Sequence, residues 1–99
     1  MNEQQQTAIV PDTHPALAGH FPGRPIVPGV VIVECVLAAV SRRGQRLAAI
    51  PHLKFLQPLL PNQPFRICWS QHEGQLRFRC ETDQALLAQG ALLLVDDAG

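Results

Sequence analysis

The chain has 99 residues, 46% of them hydrophobic, and its eight basic and eight acidic side chains leave a formal net charge of zero. A chain of that length suits one domain, residues 1–99, which buries only about two thirds of its unfolded surface, so help from a partner subunit is expected. Lys54 is the only lysine, and without a basic patch neither nucleic acid nor a membrane surface is expected as a partner.

Residues 1–6 are polar and expected to fray. Thr7–Val10 reads as a short strand closed by Pro11, and the Pro/Gly-rich stretch from His14 to Gly29 reads as a loop. A loop of that length in a small domain usually has a function. From Val30 to Val40 every residue except Glu34 is apolar or small. Eleven such residues exceed a typical strand, so a buried helix is expected despite the many β-branched side chains. Arg42 and Arg43 suit its C-terminal dipole and Gly44 its C′ position. Residues 47–56 form an apolar strand stopped by Pro58 and Pro61. Phe65, Ile67 and Trp69 alternate with Arg66, Cys68 and Ser70, and Leu76, Phe78 and Cys80 alternate with Arg77, Arg79 and Glu81. With His72-Glu73-Gly74 as the turn, these make an antiparallel hairpin. Residues 85–95 add another strand. The expected architecture is α+β, an antiparallel meander wrapped on one helix.

Cys35, Cys68 and Cys80 are too widely and irregularly spaced for a disulfide framework or a zinc site. A reducing cytoplasm is the expected location. The first residues lack the charged and apolar regions of a signal peptide, and no apolar run approaches the ~18 residues of a membrane span.

Two residues stand out. A carboxylate inside an apolar helix must be paired, hydrogen-bonded or protonated, and burial raises its pKa toward the range a proton donor needs. Glu34 is therefore a candidate general acid, with solvent contact at the helix edge as the bland alternative. His20 lies in a loop whose prolines, Pro22, Pro25 and Pro28, fix φ every third residue and hold the imidazole relative to the helix start. Unpaired N–H groups near Gly29, Val30 and Val31, at the helix N-terminus, supply a third element able to polarise a carbonyl oxygen.

The segment G-H-F-P-x-x-P-I-x-P-G-V-x-I-x-E, from Gly19 to Glu34, closely resembles the active-site segment of the hot-dog-fold 3-hydroxyacyl-[acyl-carrier-protein] dehydratases. Leu53-Lys54-Phe55-Leu56-x-Pro58-x-x-Pro61 is similar to that family's next strand and turn. The resemblance covers roughly residues 8–95. It implies a central helix wrapped by an antiparallel sheet, a dimer joined edge to edge, and sites at the subunit interface with the histidine from one chain and the acid from the other. By the same resemblance His20 removes the α-proton of a 3-hydroxyacyl thioester and Glu34 protonates the departing hydroxyl. The Gly29 and Val30 amides take the enolate charge, and Phe21 and Pro28 contribute to substrate binding. No metal or other cofactor is implied. The partners implied are acyl carrier protein and a second subunit, identical or of another hot-dog chain. The product would be a trans-2-enoyl thioester of fatty-acid, polyketide or aryl-polyene type synthesis.

Members of that family often carry a glutamine one helical turn after the acid, where this chain has Ala38, and this chain has no tyrosine. Other readings are a hot-dog acyl thioesterase using Glu34, a cysteine nucleophile at Cys35, and a non-catalytic subunit of a hot-dog heterodimer. Arg24, Arg42, Arg43 and Arg46 are candidate contacts for an acidic carrier protein.

Overall fold

Alternation of apolar and polar residues in the second half of the chain builds the three inner strands of a five-stranded antiparallel sheet. The structure, a computed structural model, describes residues 3–17 and 25–97. Its elements are β1 (Gln4–Ala8), a short 3-10 turn (Pro15–Leu17), α1 (Gly29–Val40), β2 (Gln45–Phe55), β3 (Phe65–His72), β4 (Gln75–Glu81) and β5 (Leu86–Asp96). The strand order is β1-β3-β4-β5-β2. β3 and β4 meet at a two-residue turn in which Glu73 and Gly74 both have positive φ, +51° and +80°, the form that matches strand twist.

Only β3, β4 and β5 form a meander. β2 does not pair with β3, as a four-strand meander would require; it lies at the far edge against β5. Residues 56–64, with Pro58, Pro61 and Pro64, are too long and too proline-rich for a hairpin turn. They tie instead to earlier chain: Val27 donates to the Leu59 carbonyl at 2.9 Å and Asn62 to the Val10 carbonyl at 2.7 Å. β2 also shows register shifts between Leu47 and Ala49 and between Ala49 and His52. The second places Pro51 in an irregularity of an edge strand, where its missing N–H breaks no ladder bond.

At the N-terminus, β1 runs along β3 from Gln4↔Trp69 to Ala8↔Phe65, so Gln4–Gln6 are paired rather than frayed. Polar residues on an edge strand carry no hydrophobic signature, so their order was invisible in the pattern. Glu3 extends the same edge through a two-pronged ion pair with Arg79, with 2.9 Å between Arg79 Nη2 and Glu3 Oε1. That pairing holds the Glu3 carboxyl below its usual range.

One face of the sheet carries Phe65, Ile67, Leu76, Phe78, Cys80, Ala88 and Leu92, and against them pack Val31, Ile32, Val36 and Val40 of α1. The opposite face carries the charged alternates, including Arg66 with Glu81 and Asp83, and Arg79 with Glu81. A single helix laid across an antiparallel sheet in this order is the hot-dog fold. The helix ends two residues earlier than a C′ position at Gly44 would place it. Ser41 is its C-cap, donating to the Leu37 carbonyl at 3.0 Å, and no basic residue stands in the last turn. Arg42 to Gln45 form a separate turn around Gly44, at φ +84°, with Gln45 donating to the Arg42 carbonyl at 3.1 Å.

Candidate active site

The first turn of α1 sets the geometry. Pro28 stands at the N-cap with extended backbone, φ −61° and ψ 145°, a conformation its ring favours. Its carbonyl accepts from Val31 at 3.0 Å and from Ile32 at 3.4 Å. The Val31 amide, one of three that sequence offered for polarising a carbonyl, is therefore spent. The amides of Gly29 and Val30 donate to no other described residue. They sit at the positive end of the helix dipole, where a carbonyl oxygen gathering negative charge is stabilised.

Gly29 has a second constraint. A Cβ built on it would lie 2.6 Å from Cζ and 2.8 Å from Cε2 of Phe55, so the ring rests against the helix start in the space a side chain would need. Beside it is a pocket of about 410 Å³ whose walls include Ile26, Val27, Ile32, Phe55 and Leu56. Sequence reading took Phe55 as one more strand residue; its signal lies in the pairing of an end-of-strand aromatic with a helix-start glycine, which no local pattern displays.

Glu34 is exposed, not buried. A helix on a sheet buries one stripe. Val31, Ile32, Val36 and Val40 occupy it, while Val30, Glu34 and Ala38, four residues apart, form the stripe turned away. The apolar run is long enough to suggest burial all round, yet among the described residues that side is open: Val30 is 67% exposed. Glu34 makes no hydrogen bond or ion pair with another described residue, and Ala38, one turn on, offers it none.

His20 and Phe21 lie outside the described residues, so the structure brings neither to Glu34. Cys35, beside Glu34, is half-buried, and burial together with the Glu34 charge pushes its thiol pKa up, the wrong direction for a thiolate nucleophile. Cys80, buried against the helix, is pushed up to about 12 by the same loss of water. Of the candidate carrier-contacting arginines, Arg46 pairs with Asp97 at 3.2 Å in an exposed bridge, and Arg24 is outside the described residues. Among the described residues no cluster of three His, Cys, Asp or Glu side chains could hold a metal ion, and no helix is long and apolar enough to cross a membrane.

The chain is 32% identical to the 3-hydroxyacyl-[acyl-carrier-protein] dehydratase FabZ of Agrobacterium fabrum, over 86% of this chain and 61% of that protein. It is 28% identical to the FabZ of Ehrlichia chaffeensis, over 80% of this chain and 64% of that one. The chain thus spans less than two thirds of the length of either relative. Among solved structures, a chain of the dehydratase heterocomplex ApeI:P from Xenorhabdus doucetiae matches with a TM-score of 0.78 at 28% identity, covering 93% of this chain and 86% of that one. The ApeI-like family model, described as ApeI dehydratase, matches residues 1–91. With the helix start, Glu34 and most of the sheet inside that match, the chain belongs to the ApeI-like family of hot-dog dehydratases.

Proposed function

We propose that this chain removes water from a 3-hydroxyacyl thioester borne by acyl carrier protein, giving the trans-2-enoyl thioester. The observation that carries this reading is the arrangement along α1. Two amides, of Gly29 and Val30, that donate to no described residue stand at its start, and Glu34 follows Val30 on the same exposed stripe about 6 Å further along the axis. His20 takes the α-proton, and the electron pair moves onto the thioester carbonyl, whose oxygen the two amides hold. The pair then returns to form the double bond as the C3–O bond breaks. Glu34 gives its proton to the leaving hydroxyl, which departs as water. The proton left on the imidazole passes to the Glu34 carboxylate, directly or through water, and the site is reset. Nothing in the step changes oxidation state overall or calls for a metal.

Glu34 is exposed and meets no other described side chain, so the reading includes a second subunit laid over the open stripe. Val30, Phe55 and Leu56 are exposed apolar residues on it or near the helix start, and β2 is an edge strand of the sheet. Under two-fold pairing, His20 of one chain faces Glu34 of the other. The likeness to a heterocomplex chain favours a second arrangement, in which the covering subunit is a different hot-dog chain. Free thiols at Cys35, Cys68 and Cys80 fit a cytoplasmic setting. The test is incubation with 3-hydroxyacyl carrier-protein thioesters while enoyl absorbance is followed. Enoyl formation supports the reading. Release of free thiol without enoyl product makes the chain a thioesterase, and inactivity alone and with hot-dog partners makes it a non-catalytic subunit.

A further inference from the structure

We infer that Phe55 sets which acyl chains this site admits, acting as a movable wall between the helix-start amides and the adjoining pocket. The inference rests on the reading of the chain as an acyl-thioester enzyme and adds a specificity determinant to it. Its backbone is fixed: Phe55 pairs with Ala88, and immediately after it Leu56 and Gln57 both donate to the Leu87 carbonyl, at 2.8 and 3.3 Å. Its ring is not fixed in the same way. Phe55 is 48% exposed, and its tip meets Gly29, which has no side chain to lock it. Behind the ring, Val27 and Ile32 are buried and the Val27–Leu59 hydrogen bond holds the pocket's far side, so the ring is the wall most free to turn. An acyl group whose carbonyl oxygen sits on the Gly29 and Val30 amides has its next carbons beside this ring. With the ring in place an acyl chain entering the pocket of about 410 Å³ meets it; with the ring turned or removed, the chain has room to extend along Leu56 and Ile26.

The experiment separates binding from chemistry. Calorimetry measures the affinity of the wild type, Phe55→Leu and Phe55→Ala for butanoyl, octanoyl and dodecanoyl pantetheine thioesters, which carry no 3-hydroxyl and cannot be dehydrated. In parallel, kcat/KM is measured with the corresponding 3-hydroxyacyl thioesters. Phe55→Ala is expected to raise the dodecanoyl-to-butanoyl ratio about tenfold in both, the discrimination expected when a hydrophobic pocket changes by a few methylenes, with Phe55→Leu in between. An unchanged ratio in folded variants, or an equal fall at every length, overturns the role of Phe55. A shifted binding ratio in a chain that makes no enoyl product leaves Phe55 as the determinant and removes the dehydratase reading instead.

Discussion

Val36 and Val30 lie on the same helix, the first wholly buried and the second 67% exposed. The contrast extends through the molecule. On the sheet side, Ile67, Cys80 and Leu92 are fully enclosed, and the inner strands pair on both edges. On the open side, Val30 and Ala38 on the outward stripe of α1 and Phe55 at the end of β2 are apolar yet exposed. The first region holds the fold together, and the second carries the residues proposed for the chemistry. Hydrophobicity says that a surface will be covered without saying whether the cover is the same chain or another.

The largest expected effect breaks the sheet side. Phe65→Ala removes a ring that is 2% exposed, at a cost of about 3–5 kcal/mol in urea unfolding, much of the stability of a domain this size. Next, Glu34→Gln on the open side is expected to lower dehydration at least ~100-fold while leaving the unfolding midpoint where it was. A midpoint that falls with activity would make Glu34 structural. Two glycines sharpen the contrast further. At Gly90 a Cβ would meet the His52 carbonyl oxygen at 2.5 Å and the Leu53 Cα at 3.2 Å, backbone that has no room to give, so Gly90→Ala should cost about 1–3 kcal/mol. At Gly29 the obstacle is the half-exposed Phe55 ring, which can swing away, so Gly29→Ala should change stability by less than about 1 kcal/mol and show its effect in activity. The smallest effect concerns Glu3. Its pKa is lowered in the folded chain by the Arg79 hydrogen bonds, so its contribution is present above the unfolded carboxylate value and is lost as pH falls through the folded one. Glu3→Gln should therefore lower stability slightly at neutral pH and not at all in strong acid. An equal loss at both would assign the effect to packing.

Much of this was legible before any coordinates. The α1 helix, the β3–β4 hairpin and the extent of β5 follow from periodicity and turn chemistry, because each is set by residues close in sequence. The place of β2 was not, since a strand's neighbour in a sheet depends on which edge a long connection reaches. Order at Gln4–Gln6 was hidden because its hydrogen bonds are backbone bonds to β3. At the site, Pro28, Gly29 and Val30 stand where the helix start was expected, but the Val31 amide is used within the helix. Glu34 was expected to be buried because its helix is apolar along most of its length, but the helix turns only one stripe to the sheet and Glu34 is exposed. Phe55 escaped notice because its importance lies in a contact with Gly29, twenty-six residues away.

The most direct test of the account asks whether the open side is completed by a second copy. His20→Ala and Glu34→Ala chains are each expected to be inactive alone. Refolded together, they form mixed dimers with one intact and one doubly defective site, and random pairing should restore about a quarter of wild-type dehydration. Verified mixed dimers with no recovered activity would contradict a site shared between two copies of this chain.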